Sequence, residues 1–277
     1  MPSIQPPTLT VFGATGGCAA NAVVAALSAG IKCVALARTP SKLRNMLAVQ
    51  YKVTAKSLDE NLLIIEGNIR SVEDVKRTLT ASGSLPDRIL FTVGGAPKLQ
   101  FSLWAPITLD DPHICEEGMK TLIAALRSCE AENVPLGPQG SKPLLFTVST
   151  ISMSSRRDLA YPYYPLEYWL LNVPRSDKVA LERVIFEAAL GPGSPFGGFA
   201  MVRPPVLSEG QALGPEKVKA GWVWPDQQRK EKVAKGEKEA GPVIGWIVTK
   251  ADVGRWIFDN LILGDASALG KCWSLTN

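Results

Sequence analysis

Val11-Phe12-Gly13-Ala14-Thr15-Gly16-Gly17-Cys18-Ala19 is the stretch on which the reading of this 277-residue chain turns. It lies between a compact apolar run, Thr8–Phe12, and an Ala-rich segment, Gly16–Ala29, that ends at Gly30. The spacing is G-x-x-G-x-x-A. Gly13 allows a strand to turn tightly, Gly16 allows backbone N–H groups to approach a pyrophosphate, and Ala19 keeps the helix close to the sheet. The N-terminus of the helix then faces the anion. The pattern predicts strand, turn and helix in that order, with Gly13, Thr15, Gly16 and Gly17 at a dinucleotide's phosphates. A turn that is only structural is the competing reading.

Working outward, short apolar runs alternate with helical patterns. Ile31–Ala37, Leu62–Glu66, Arg88–Val93 and Leu144–Val148 read as strands buried on both faces. Pro40–Val49, Ser71–Ala81 and Asp111–Glu132 read as helices, the second with Ser71 as N-cap and Asp74 three residues on. Such alternation implies right-handed βαβ units around a parallel sheet. The C-terminal half is less regular. Arg175–Leu190 is helical, Phe199–Val202 is a sixth strand, and Val243–Val248 is expected as a seventh. Thr249 is placed to cap a helix over Ala251–Leu263, and the charged tract Asp226–Ala240 reads as a solvated loop or exposed helix.

The end of the second strand selects among dinucleotides. An acidic residue there would bind the adenosine ribose of NAD, whereas this chain has Ala37-Arg38-Thr39-Pro40-Ser41-Lys42. The planar guanidinium of Arg38 suits a 2′-phosphate, so NADP(H) is the expected cofactor; a surface arginine at a helix start is the alternative.

Composition narrows the function classes. The chain is 46% hydrophobic and 20% charged, enough to build a large core. Its 30 Lys+Arg against 26 Asp+Glu leave +4, with no basic arm, so no nucleic-acid partner is expected. The five cysteines, Cys18, Cys33, Cys115, Cys129 and Cys272, show no C-x-x-C pair, and with His113 as the one histidine no metal site is expected. An odd count in a chain of this size suits reduced thiols in the cytoplasm. The first basic residue is Lys32, which argues against a secretory signal. Cys18–Ala37 carries a single charge, but Gly30 splits it into helix, turn and strand, so no membrane span is expected.

Taken together these segments resemble an atypical short-chain dehydrogenase/reductase of the NmrA-like type over nearly the whole chain. Gly67-Asn68-Ile69 stands where that family has Gly-Asp-hydrophobic beside the adenine, with Asn68 as a departure. Val93-Gly94-Gly95 stands where small residues pass under the ribose, and Ser149-Thr150 ends the fifth strand. Arg203-Pro204-Pro205-Val206-Leu207 is similar to the Arg-Pro turn near the nicotinamide, and Thr249-Lys250-Ala251-Asp252-Val253 to a late helix-opening motif. The resemblance implies Asn68, Ile69, Val93, Gly94, Pro204 and Val206 as cofactor-binding residues. A weaker similarity, notably over Trp169–Lys178, points to averufin oxidase A-type oxidoreductases of fungal aromatic polyketide pathways.

Ordinary members of the superfamily carry Tyr and Lys four residues apart, the Tyr as proton donor. That motif is missing: the residue four before Lys178 is Pro174. Lys178 nevertheless lies three residues before Leu181 on an apolar stripe, where a lysine needs a partner or a polar cavity. The resemblance supplies one, the nicotinamide ribose; a snorkelling lysine is the alternative. Tyr161, Tyr163, Tyr164 and Tyr168 cluster just before it, as an aromatic lid or as packing of a short helix. Tyr164 is the expected proton donor and Ser149 the partner of the substrate oxygen.

The expected architecture is a single doubly wound α/β domain over 1–277, with a small substrate lobe from about 151–173 and 204–241. The expected activity is NADPH-dependent oxidoreduction of a small aromatic or polyketide-derived carbonyl or enone. The alternatives are a same-fold isomerase, cyclase or dehydratase without net redox, and a dinucleotide-sensing regulator without turnover.

Overall fold

The computed structural model describes residues 6–99 and 107–277. β1 (Leu9–Phe12) is followed by α1 (Gly17–Ser28), β2 (Cys33–Ala37), α2 (Pro40–Val49), α3 (Ala55–Asn61) and β3 (Leu62–Glu66). Next come α4 (Val72–Leu79), β4 (Arg88–Phe91), the short strands β5 (Pro97–Leu99) and β6 (Ile107–Leu109), α5 (Ile114–Ala131) and β7 (Leu144–Val148). The remainder comprises α6 (Asn172–Leu190), β8 (Gly198–Arg203), β9 (Val206–Ser208), β10 (Lys219–Val223), α7 (Asp226–Ala234), β11 (Ile247–Thr249), α8 (Lys250–Ile257) and β12 (Lys271–Thr276).

Eight strands form one sheet in the order β10-β12-β8-β7-β4-β1-β2-β3, parallel except for β10, which runs antiparallel to β12. Successive side chains of a strand point to opposite faces, and here both faces are covered. Val11, Ala35, Leu90 and Phe146 join Ala19, Val23, Leu47 and Ile257 in one core, on the side of α1, α2 and α8. Phe12, Leu36, Phe91 and Leu145 join Val75, Met119, Leu122 and Leu181 in the other, under α4, α5 and α6. Winding runs outward from β1 through β2 to β3, then restarts at β4 on the opposite side of β1. The crevice between the C-terminal ends of β1 and β4 is thus the topological switch point, where open α/β sheets hold their ligands.

The expected helix starts at Ser71 and Thr249 are present. Ser71 Oγ accepts from Asp74 N–H at 3.2 Å and Thr249 Oγ1 from Asp252 N–H at 2.9 Å. The Asp74 carboxylate does not return to Ser71; it accepts from Asn68 N–H and from Arg77, pinning the turn after β3. Two expectations for the C-terminal half are corrected. Val243–Val248 is not the seventh strand of the sheet: only Ile247–Thr249 is extended, and it pairs with Val206–Ser208 in a separate two-stranded ribbon. The places at the sheet's end are taken by β12 and β10, whose Gly, Ser, Trp and Lys residues do not form an apolar run. The tract from Asp226 forms α7, exposed throughout or half-buried, followed by a loop. Among the described residues no helix is long and apolar enough to cross a membrane.

Candidate active site

At the switch point Gly13 has φ +87°, a left-handed conformation that suits glycine, and a Cβ there would lie 2.7 Å from the carbonyl carbon of Thr92. Gly16 N–H donates to Gly13 O at 3.0 Å, and Thr92 Oγ1 donates toward the carbonyls of Phe12 and Gly13. Gly16 is the residue before α1 and offers no side-chain acceptor, and no acidic side chain lies in the first turn. The leading N–H groups of α1 are therefore left without a side-chain cap, beside the exposed Thr15 and Gly16. A cradle that a Cβ would fill, with unclaimed donors aimed outward, fits a dinucleotide's pyrophosphate.

Along the same edge, Arg38, Thr39 and Lys42 are exposed at the end of β2, and Arg38 has no partner among the described residues. Asn68 spends its Oδ1 on Arg70 N–H at 3.1 Å, which leaves its amide N–H groups free. Ile69 packs so closely on α5 that a Cβ on Gly118 would come within 2.9 Å of it. Gly94 is exposed, with nothing within 4 Å of where its Cβ would be.

Lys178 lies beside the crevice, across the ends of β4 and β7. Its ammonium donates to Val93 O at 3.2 Å and to Val148 O at 3.1 Å, bridging the chain just beyond β4 to the end of β7. The Cys115 thiol lies beside the same ammonium and shares Val93 O with it. The lysine's neighbour Asp177, which the sequence analysis does not single out, fixes α6 against α5. The buried Asp177 carboxylate accepts from Cys115 N–H at 3.0 Å and Glu116 N–H at 3.1 Å, capping α5 from α6. The signal was present, because Asp177 lies one turn before Leu181 on the apolar stripe.

Ser149 follows β7 immediately. It is buried, its N–H donates to Val202 O at 2.7 Å, and its hydroxyl has no partner. At the end of β8, Arg203 is buried and doubly bonded to Glu182 on α6, Nε to Oε1 at 2.9 Å and Nη2 to Oε2 at 2.6 Å, while Nη1 is unpartnered. This pair ties the Pro204 turn to the helix that carries Lys178; Pro204 is buried and Val206 exposed.

The tyrosines form a stacked column. Tyr164 is exposed and stacked between Tyr161, centroids 6.1 Å apart, and Tyr168, 5.7 Å apart and nearly parallel. Arg157 covers the Tyr161 ring at 4.5 Å and Arg175 the Tyr168 ring at 4.6 Å. The column is thus closed by guanidinium groups at both ends, and the Tyr164 hydroxyl touches neither Lys178 nor Ser149 among the described residues. Tyr168 shares a hydrogen bond with Ser152 at 2.9 Å. The segments expected as a substrate lobe do meet: Ser155 N–H donates to Asp226 at 2.8 Å, and Arg156 approaches Glu239.

Burial pushes the Cys18 thiol up to about 12, against the opposing influence of Lys250 and Lys178, and raises Cys115 to about 11. Both therefore stay protonated at neutral pH and are poor nucleophiles. Among the described residues no group of three or more His, Cys, Asp or Glu is placed to hold a metal ion.

Fold and switch-point geometry define a Rossmann-type protein of the atypical short-chain dehydrogenase/reductase class. A scan of protein-family models finds no match. The chain is 35% identical over 266 residues to the reductase pytE of Aspergillus terreus, covering 94% of this chain and 93% of that protein. It is 32% identical over 276 residues to the oxidase pynE of Aspergillus niger, with 93% of each chain covered. The chain belongs to the family of these fungal proteins, atypical short-chain dehydrogenase/reductases, and is an oxidoreductase. Solved structures share the fold: ChuY, an anaerobillin reductase of Escherichia coli O157:H7, matches with TM-score 0.59 at 18% identity, over 97% of this chain and 96% of that one. An NAD-dependent epimerase/dehydratase-type protein of Bacillus halodurans matches with TM-score 0.57 at 15% identity, over 98% and 94%.

Proposed function

We propose that the protein is an NADPH-dependent oxidoreductase acting on a small aromatic or polyketide-derived carbonyl or enone in secondary metabolism. The observation that carries this reading is the Lys178 ammonium, fixed by two strand-end carbonyls, beside the unpartnered Ser149 hydroxyl. In an ordinary core the Ser149 hydroxyl would be costly, since a buried polar group without a partner loses roughly 1–3 kcal/mol, and the half-buried Lys178 ammonium would be an unusual resident of an apolar stripe. In a site they are the groups that a cofactor ribose and a substrate oxygen satisfy.

The turn of Gly13, Thr15, Gly16 and Gly17 would hold the pyrophosphate, Arg38 the 2′-phosphate, Asn68 and Ile69 the adenine, and Val93, Gly94 and Lys178 the nicotinamide ribose. Pro204 and Val206 would border the ring. A bound nicotinamide supplies the hydride or takes it up. Ser149 Oγ–H would donate to the substrate oxygen and Lys178 would hold the site's geometry. With Tyr164 in its outward stack, water supplies the proton. The names of the relatives, reductase and oxidase, support turnover with net redox over a regulator or an isomerase. Incubating the protein with NADPH and a panel of quinones, anthrones and aromatic ketones should show oxidation of NADPH with at least one compound. Tight NADPH binding with no turnover on any of them would favour the regulator.

Arg38 supports NADPH over NADH. NADPH is expected to bind at least about tenfold more tightly, or about 1.4 kcal/mol, within reach of one charge-assisted phosphate contact. Arg38→Asp should erase or reverse that preference in calorimetry. Equal affinities in the unmodified protein would remove the 2′-phosphate from this strand end.

A further inference from the structure

We propose that Lys250 is a second cationic ligand for the pyrophosphate of the dinucleotide, parked on Glu209 until that anion arrives. The inference rests on the dinucleotide reading above. Lys250 opens α8, yet its stem lies across the first residue of α1. A Cβ on Gly17 would come 2.5 Å from Lys250 Cδ and 3.4 Å from Cγ. Gly17 is therefore not needed only for the turn: its bare Cα leaves the groove through which the lysine crosses the phosphate-binding end of the helix.

The root of the side chain is fixed. Thr249 caps α8 through Asp252, and Gly254 seats α8 on α1 so tightly that a Cβ there would lie 2.5 Å from Cys18 O. The ammonium, by contrast, is loosely committed. Its partner is Glu209, the residue after β9, and in the parallel ribbon Ser208 stands opposite Thr249, so Glu209 and Lys250 are the next rung. Glu209 is 82% exposed and Lys250 30%. An exposed ion pair contributes little net stability, so its exchange for a doubly charged anion is easy. The destination is next door, at the uncapped N–H groups of α1. Lys250 and Lys178 both act on the Cys18 thiol, as expected if the two cations flank the opening of α1. Glu209 then competes with the cofactor for Lys250 and repels it.

The test separates this role from those of Arg38 and of the fold. Lys250→Met keeps the stem over Gly17 and removes the charge. Calorimetry at low salt should show NADH and NADPH both weakened about tenfold, because the pyrophosphate is common to them, with their affinity ratio unchanged. The unliganded melting temperature should stay within about 2 °C, since one exposed pair is lost. Lys250→Arg should restore most of the affinity, and Glu209→Gln should tighten both dinucleotides about threefold. Affinities within twofold of the parent for Lys250→Met would overturn the proposal, as would a loss confined to NADPH, which would move Lys250 to the 2′-phosphate. Failure of the unmodified protein to bind either dinucleotide would instead overturn the parent reading, and this one with it.

Discussion

Gly13→Ala is expected to lower the melting temperature by roughly 10 °C, the largest stability loss of any single methyl group added at the phosphate turn. Two costs combine. An L residue at φ +87° carries backbone strain of about 1–3 kcal/mol. The new Cβ also meets the carbonyl carbon of Thr92 at 2.7 Å and the nitrogen of Val93 at 2.8 Å. Those atoms are backbone, so no rotamer change relieves the contact. Relief requires β1 and β4 to separate, although they are in register from Leu9↔Arg88 to Phe12↔Phe91 and buried on both faces. Overpacking of this kind costs about 1–3 kcal/mol. Together the two give about 2–6 kcal/mol, which a scanning calorimeter resolves easily.

Gly16→Val is the control that separates fold from binding. Gly16 has an ordinary extended backbone, φ −71° and ψ 140°, and its Cβ would approach Gly13 O at 3.3 Å and Thr92 O at 4.0 Å, without a severe clash. That variant should stay folded and lose NADPH, because the branched side chain stands where a pyrophosphate approaches the N–H groups. A Gly13→Ala protein that melts within about 3 °C of the parent would contradict the close contact between the turn and β4.

The two glycines show what was legible in the sequence. Their spacing was readable because a strand, a tight turn and a helix are local events within a dozen residues. The same holds for β2, β3 and β7, which are apolar runs, and for the caps at Ser71 and Thr249, where donor and acceptor are three residues apart. What was not legible is nonlocal. β10 and β12 are joined to the sheet by register with each other and with β8, and their exposed or mixed faces lack an apolar run. Asp177 stands out on the apolar stripe, but its partners, the N–H groups of α5 more than sixty positions away, cannot be read from it. That Arg203 pairs with Glu182 inside the protein is equally nonlocal, because the two lie on different elements 21 residues apart. Tyr164 is one of four clustered tyrosines in the sequence, and which neighbours its ring stacks on, Tyr161 and Tyr168, emerges only in the fold. Lys178 itself could be read because an apolar stripe makes any lysine on it conspicuous.

Lys178→Met should therefore give the largest loss of catalysis, about 10²-fold or more in kcat on whichever carbonyl the panel identifies, with NADPH affinity reduced only a few-fold. Methionine keeps much of the stem's length and packing but removes all three donors. Val93 O still accepts from Cys115 Sγ at 3.2 Å, so one of the two strand-end carbonyls remains partnered. The structural cost is consequently modest, about 1–3 kcal/mol for hydrogen bonds to a charged group, and assays well below the melting temperature will not confuse it with lost chemistry. Arg38 and the glycine turn, at the far end of the crevice, continue to hold the adenosine half. What disappears is the fixed ammonium next to Ser149, and a nicotinamide displaced by about 1 Å from its reacting geometry can by itself cost 10²-fold. A purely structural lysine predicts the reverse split: a lower melting temperature with kcat unchanged. Full activity in Lys178→Met would transfer the chemistry to Ser149, the remaining buried polar group of the crevice whose hydroxyl has no partner.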